Sequence, residues 1–332
     1  MANLEKIISK LISKPESYTL QRDTLDSYLE RHKLLLNPFA DKIVNDKMFI
    51  NKDEVVCNRI MRAARHNQSS LIILMGPTGS GKSENADFIV RNLPEDFVFW
   101  YNQVYGQNSV QLATSIIGDL DPNYLARLST ADREMILDIY NDVLKAIVRN
   151  NKKLFCIFDQ GEHFSKDAFE LVTNSTNPYY AANRAFTGLI LAVPRFEKQI
   201  EEWTENLDTM LRRALIREYT RPFTVSQRLE YIARALASSK KESYLELMKK
   251  HEFDPFDDDA IIYLIEKSDG HPSTLNNLCY ISLELASAIS PDAIITESVV
   301  EEAWTKFPNK RIHQEAIKWY KEKGLYQKQE DI

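Results

Sequence analysis

The chain of 332 residues contains few cysteines, few glycines and no long apolar run. Its three cysteines, Cys57, Cys156 and Cys279, are isolated and lack the paired spacing of a disulfide framework or a zinc site. This pattern indicates a reducing compartment such as the cytoplasm. No apolar run approaches the length of a membrane span and no signal peptide is visible, so we expect no transmembrane segment.

An excess of positive charge is also missing, since the formal net charge is −6. This balance argues against a protein coated in nucleic acid, although a local basic patch could still bind one. Apolar residues make up 44% of the chain and charged residues 27%, which is ordinary for a globular protein with a full core. The length suits one nucleotide-binding domain and one accessory domain.

Short apolar runs alternate with helical patterns in the first two thirds of the chain. The runs that predict strands are 70–75, 97–101, 154–158, 188–193 and 216–220. Short apolar strands separated by helices predict a parallel five-stranded sheet covered on both faces, which is an α/β fold. After Pro222 the strand patterns stop, and helical segments bounded by Asp, Gly and Pro predict a separate all-helical domain.

The strongest motif follows the first predicted strand and opens a helix. The segment "GPTGSGKS" fits G-x-x-x-x-G-K-[ST] in full, and it contains three of the nine glycines in the chain. Such a loop points its backbone N–H groups at phosphate oxygens, which predicts ATP as a ligand. The predicted binding residues are Gly76, Pro77, Thr78, Gly79, Ser80, Gly81, Lys82 and Ser83. Lys82 would reach the β- and γ-phosphates, and the Ser83 hydroxyl would be a ligand of Mg²⁺.

A second carboxylate is expected at the end of the strand "LFCIF", where Asp159 stands on the Mg²⁺ side of the site. The next residue, Gln160, occupies the place where many nucleotide hydrolases carry a glutamate that activates water. Glu162 is the nearest carboxylate that could replace that base, with Gly161 allowing the chain to turn. The alternative is that Glu162 is an exposed residue at the start of the next helix and that ATP is held in a long-lived state.

Several segments together resemble the AAA+ ATPases, within the clade of transposition-regulator ATPases, ExeA-type secretion ATPases and archaeal origin-recognition initiators. The segments that carry this resemblance are "NPF" (37–39), "FINKDEVVCNRIMRAA" (49–64), the phosphate loop, "FDQGEH" (158–163), "LILAVPRFEKQI" (189–200), "LRRALIREYTRPFTVSQRLEYIARAL" (211–236) and "SDGHPSTLNNLCYISLELA" (268–286). The resemblance implies a P-loop AAA+ core followed by a helical lid domain, with ATP and Mg²⁺ as cofactors.

The resemblance also implies assembly into a homo-oligomeric ring or spiral, in which an arginine of one subunit completes the site of the next. Arg213 matches that position best, and a guanidinium can neutralise charge on a departing γ-phosphate. This sequence departs from the family where Ser273 replaces the lid arginine and where Val193 replaces a polar residue, although Arg195 stands near. With Gln160, these changes predict slow hydrolysis.

The expected domain boundaries follow from these segments. They are an N-terminal helical arm over 1–36, the nucleotide-binding core over 37–222, the helical lid over 223–308 and a polar tail with basic and aromatic residues over 309–332.

The sequence is compatible with two functions. The first is an ATPase that assembles on DNA, as a transposition or replication regulator does. The second is a nucleotide-switched module that recruits or remodels a protein partner without DNA. The tail, with Trp319 and Tyr320 among lysines, suits nucleic acid, and it equally suits an amphipathic helix that packs on its own protein or on a partner.

Overall fold

The computed structural model describes residues 16–40, 49–65, 70–124, 128, 130–176, 186–204 and 215–326. The chain forms two compact units. Residues Asp53–Arg221 form the first, called here the sheet unit, and the residues up to Lys52 join those from Pro222 onward in the second, called the helical unit. None of the helices in these described ranges is long and apolar enough to cross a membrane.

The sheet unit contains the parallel five-stranded sheet that the sequence predicts. The strands are β1 (Ser70–Met75), β2 (Phe97–Gln103), β3 (Lys153–Asp159), β4 (Phe186–Ala192) and β5 (Leu215–Tyr219). Their order is β2-β3-β4-β1-β5, and every neighbouring pair is parallel. The α/β fold class is therefore confirmed, and β4 lies between the strands that end in the phosphate loop and in Asp159.

Helices cover both faces of this sheet. In the sheet unit they are α2 (Glu54–Arg65), α3 (Lys82–Asn92), α4 (Ser109–Leu120), α5 (Arg133–Arg149), α6 (Lys166–Ser175) and α7 (Phe196–Thr204). Successive strand residues point to opposite faces, so Ile73 packs in one apolar cluster while Ile72 and Leu74 pack in the other. All seven residues of β4 are buried, which explains why its sequence is continuously apolar instead of alternating.

The helical unit is built from seven described helices. They are α1 (Glu16–Arg31), α8 (Val225–Lys240), α9 (Tyr244–Lys250), α10 (Asp258–Ser268), α11 (Pro272–Ile289), α12 (Glu297–Lys306) and α13 (Lys310–Glu322). Thr224 begins α8 with a capping box, in which its hydroxyl accepts from the Gln227 N–H and the Gln227 side chain accepts from the Thr224 N–H. One apolar core runs through the unit, so the predicted all-helical region after Pro222 is confirmed.

The structure moves the first predicted boundary, because residues 37–40 pack in the helical unit and not in the nucleotide-binding core. The Phe39 ring is buried and meets Phe256 edge to face, with 6.1 Å between the ring centroids. The Asn276 amide donates to the Phe39 carbonyl at 3.0 Å, and Asn37 accepts from the Phe39 N–H. The segment "NPF" is therefore a packed part of the helical unit.

The last predicted boundary also changes, because residues 310–322 continue the helical unit as α13. Tyr320 is fully buried and Trp319 is 8% exposed. His313 is buried as well, and its Nδ1 lies 3.1 Å from the Thr274 hydroxyl. Burial of both aromatic rings removes them as platforms for nucleic-acid bases, and it assigns this part of the predicted tail to packing within the protein.

We expect Tyr320→Ala to destabilise the helical unit by about 3 kcal/mol or more, as truncation of a buried aromatic side chain usually does. The matched control is Ile312→Ala on the same helix, because Ile312 is 42% exposed. Its loss in free energy of unfolding should stay within about 0.5 kcal/mol. Urea unfolding followed by tryptophan fluorescence measures both variants. An unchanged midpoint in Tyr320→Ala would contradict the packed position of α13.

Candidate nucleotide-binding site

The phosphate loop lies between β1 and α3, as its sequence predicts. Gly79 and Gly81 have φ angles of 78° and 86°, a left-handed conformation that side chains other than glycine adopt rarely. Gly81 is the N-cap residue of α3, whose first helical residue is Lys82. The loop therefore curls over the N-terminus of a helix, where N–H groups without helical partners and the helix dipole favour an anion.

The start of the loop is fixed to the end of β5. A Cβ atom on Gly76 would lie 2.0 Å from Thr220 Oγ1 and 2.6 Å from Ser80 Oγ, so only glycine fits there. The Thr220 hydroxyl donates to Ser80 Oγ at 2.9 Å, and both side chains are completely buried. The Thr220 N–H also donates to the Met75 carbonyl at 2.9 Å. Thr220 thus supports the loop, a role that the sequence gives no reason to expect.

Lys82 holds a positive charge at the base of the loop. Its ammonium donates to the carbonyl of Gly76 at 2.8 Å and to that of Pro77 at 3.0 Å. These bonds fold the side chain back over the residues that precede it. The lysine, the loop N–H groups and the helix N-terminus are together the groups that could hold the phosphates of a nucleotide.

Asp159 faces the phosphate loop from the end of β3. Its Oδ2 lies 3.4 Å from the Ser83 hydroxyl and accepts from the Tyr101 hydroxyl at 2.7 Å. Its Oδ1 accepts from the Gln160 N–H at 2.8 Å. Carboxylate and hydroxyl oxygens are the ligands that Mg²⁺ prefers, so the donor set of Ser83 and Asp159 fits the predicted metal.

Tyr101 is a site residue that the sequence analysis missed. Burial, together with the hydrogen bond to Asp159 and its negative charge, raises the pKa of the Tyr101 phenol above its usual value. The phenol therefore stays protonated at neutral pH and remains a hydrogen-bond donor to the carboxylate. The sequence places Tyr101 on a strand, but only the pairing of β2 with β3 brings the phenol to Asp159.

The chain turns sharply after Asp159 and packs directly on β4. Gln160 has a φ angle of 59°, and residues Gly161–His163 form one turn of 3-10 helix. A Cβ atom on Gly161 would lie 2.2 Å from Ile190 Cγ2, so a larger residue would push the turn off the strand. Gly161 is thus required by a close approach between backbone and strand, which agrees with the predicted turn.

This turn places the Glu162 carboxylate at the end of β4. One carboxylate oxygen accepts from the Val193 N–H at 3.3 Å, and the other lies 3.9 Å from the Arg195 guanidinium. The Glu162 side chain is only 9% exposed, and α6 begins later, at Lys166. Glu162 is therefore not an exposed residue at the start of the next helix, and it lies between the strand ends of β1 and β3.

Three further residues are singled out in the sequence, namely Arg213, Ser273 and Arg195. Arg213 falls in 205–214, outside the described residues. Ser273 belongs to α11 in the helical unit, where its Oγ accepts from the Asn277 amide at 3.2 Å. Arg195 is 67% exposed, and its guanidinium lies 3.9 Å from the Glu162 carboxylate.

A protein-family model described as an AAA domain matches residues 65–200. Among solved structures, the ORC2 protein of Aeropyrum pernix in its ADPNP–ADP complexes has a TM-score of 0.55 at 14% identity, covering 81% of this chain and 71% of that chain. The ORC1 protein of Aeropyrum pernix in complex with DNA has a TM-score of 0.53 at 14% identity, covering 82% and 69%. Drosophila ORC bound to DNA has a TM-score of 0.52 at 14% identity, covering 86% and 67%.

No curated protein sequence matches this chain. At 14% identity the structural similarity shows the fold alone, and that fold is the P-loop AAA+ fold expected from the sequence. The family match spans the phosphate loop, Asp159, Gln160 and Glu162, so these residues lie within the segment that resembles an AAA domain.

We expect Lys82→Ala to abolish ATP binding and to leave the fold intact, because the substitution removes the positive charge at the base of the loop and no residue of the apolar core. Binding of labelled ATP and the thermal unfolding midpoint measure the two effects. Lys145→Ala, which removes a half-exposed lysine of α5, is the control and should bind like wild type. Unchanged ATP affinity in Lys82→Ala would show that the loop is not the phosphate site.

Proposed function

We propose that this chain, which carries an AAA domain on the AAA+ fold, binds ATP together with Mg²⁺ and hydrolyses the nucleotide slowly. The observation that supports this most directly is the position of the phosphate loop beside Asp159 at one edge of the sheet. The Ser83 hydroxyl and the Asp159 carboxylate lie 3.4 Å apart there, close enough to serve one metal ion.

Each of these residues would have a separate part in binding. The loop N–H groups and the Lys82 ammonium would hold the phosphates, and Ser83 and Asp159 would hold Mg²⁺ directly or through its water shell. Bound Mg²⁺ supplies charge neutralisation on the phosphoryl oxygens. Thr220 and Gly76 would keep the loop at a fixed height above the sheet, since neither position has spare room.

Slow hydrolysis is proposed because the residue after Asp159 is an amide. The Gln160 side chain can hold a water molecule by hydrogen bonding but cannot take a proton from it. Glu162 is the carboxylate that could take this proton. Its position supports the role, because the Val193 N–H and the Arg195 guanidinium hold it at the end of β4, beside the strand that leads into the phosphate loop.

The alternative is that Glu162 only ties the turn to β4, and that the site keeps ATP bound for a long time without an effective base. The contact with the Val193 N–H is equally consistent with this purely structural role. Hydrolysis measured in two variants separates the alternatives.

With Glu162 as the base, Glu162→Gln should slow single-turnover ATP hydrolysis by about 10²–10⁴-fold, the usual contribution of a positioned general base. The substitution keeps an oxygen that can accept from the Val193 N–H, so the turn should stay in place. Glu170→Gln on α6 is the matched control and should keep the wild-type rate. A wild-type rate in Glu162→Gln, with faster hydrolysis in Gln160→Glu, would instead support the long-lived ATP state.

We further propose that the protein assembles into an oligomer that acts on DNA. Two of the structurally similar proteins, Aeropyrum pernix ORC1 and Drosophila ORC, were solved with DNA, and the proposed Arg213 would act across a subunit boundary. The second candidate is a nucleotide-switched module that binds a protein partner. The net charge of −6 and the burial of Trp319 and Tyr320 favour that candidate, because they remove the most obvious nucleic-acid surface.

ATP with Mg²⁺ should convert the protein into a larger species, and Arg213→Ala should reduce turnover more than it reduces ATP binding. Light scattering and a turnover assay measure these effects, with Arg149→Ala on α5 as the arginine control.

Binding to duplex DNA, tested by mobility shift with and without ATP, distinguishes the two candidate functions. A protein that stays monomeric with ATP and DNA would rule out the assembly. If the protein binds no DNA either with or without ATP, the result would favour the module that binds a protein partner.

A further inference from the structure

Tyr101 forms a hydrogen bond at the proposed metal site that neither nucleotide binding nor proton transfer explains. The phenol donates to the same Asp159 oxygen, Oδ2, that faces the Ser83 hydroxyl. We propose that Tyr101 positions the Asp159 carboxylate for Mg²⁺ and thereby sets how much the metal strengthens ATP binding. This inference rests on the proposed binding of ATP with Mg²⁺ and assigns a residue beyond it.

The hydrogen bonds to Asp159 fix the orientation of its carboxylate. Oδ1 accepts from the Gln160 N–H at 2.8 Å, and Oδ2 accepts from the Tyr101 hydroxyl at 2.7 Å. Because both oxygens accept a short hydrogen bond, the carboxylate cannot rotate without breaking one of them. Removal of the phenol would leave Oδ2 with the longer contact to the Ser83 hydroxyl at 3.4 Å, and the side chain would gain rotational freedom.

Oδ2 still has room for the metal when Tyr101 is bound to it. An ionised carboxylate has about four acceptor positions over its two oxygens. Oδ2 contacts the phenol at 2.7 Å and the Ser83 hydroxyl at 3.4 Å. Oδ2 can therefore accept the hydrogen bond from the phenol and still be a ligand of the metal. Tyr101 would thus support the metal instead of competing with it.

The register of the sheet explains how the phenol reaches Asp159. Tyr101 on β2 lies opposite Ile157 on β3, and Asp159 stands two residues further along the same face. The tyrosine side chain spans this diagonal, since its hydroxyl lies 2.7 Å from Asp159 Oδ2. A phenylalanine at this position would keep the ring in place and lose only the donor.

Tyr101 is also poorly suited to a purely structural role. It lies on the edge strand of the sheet, and the residue is 51% exposed. Loss of its hydroxyl should therefore have little effect on the stability of the fold. The hydroxyl nevertheless bonds to Asp159, the carboxylate proposed to hold the metal. This contact supports a role of Tyr101 in metal binding.

The experiment measures ATP affinity in excess Mg²⁺ and in EDTA for wild type, Tyr101→Phe and Tyr105→Phe. Tyr105 is a nearby tyrosine, 68% exposed, whose hydroxyl bonds to the Gln103 side chain, so its variant is the matched control. Tyr101→Phe should bind ATP like wild type in EDTA. The factor by which Mg²⁺ raises its ATP affinity should be smaller by roughly 10-fold or more, which is the usual effect of losing a residue that holds a metal ligand in place. Mn²⁺ titrated into the ATP complex and followed by electron paramagnetic resonance should show the same loss of metal affinity.

Three outcomes would overturn the inference. Tyr101→Phe with the wild-type gain on adding Mg²⁺ and the wild-type Mn²⁺ affinity would leave the proposed function standing and remove Tyr101 from it. Equal weakening of ATP binding with and without Mg²⁺ would make Tyr101 a residue of the nucleotide site in general. A wild-type protein that does not bind ATP, or that binds it without any effect of Mg²⁺, would overturn the proposed function and this inference with it.

Discussion

The parallel pairing of β4 with both β1 and β3 is the constraint on which the rest of the site depends. Parallel strands bring their carboxyl ends to one edge, and this order sets the phosphate loop, the end of β4 and Asp159 side by side. The strand pairing is stabilised by apolar residues buried on both faces of the sheet. The polar groups of the site are therefore positioned by a core that contains none of them.

Close approaches without side chains complete this arrangement. Gly76 lets the loop begin against Thr220, and Gly161 lets the turn after β3 lie directly on Ile190 of β4. The second contact accounts for the unusual order of polar residues after Asp159. Because the turn follows β4 so closely, the carboxylate that meets the end of that strand is carried by Glu162 and not by the residue next to Asp159.

Local patterns in the sequence predict the parts of the fold that depend on local physics. The apolar runs predict all five strands, and the glycines with Lys82 and Ser83 predict a phosphate loop that opens a helix. The parts that could not be predicted depend on contacts between distant segments. Thr220 reaches Ser80 only because β5 pairs with β1, and no local signal marks such a threonine.

The same limit applies to the predicted boundaries of the helical unit. Phe39 follows an Asn-Pro pair, which locally favours an extended linker, but its ring is buried among helices that come two hundred residues later. Trp319 and Tyr320 occur among lysines, which locally suits a nucleic-acid tail, yet both rings face the unit's interior. In these two segments, aromatic residues among polar ones therefore mark packing within the protein and not a ligand site.

In the proposed mechanism, the turn after β3 supplies the acceptor for a proton at an ATP site. A crystal structure with Mg²⁺ and a non-hydrolysable ATP analogue tests it most directly, since it would show the water in line with the γ-phosphate. We expect a Glu162 carboxylate oxygen about 2.6–3.2 Å from that water, with Gln160 as a second contact. A water held by Gln160 alone, with Glu162 still bonded to Val193 and remote from the water, would contradict a role of Glu162 as the base.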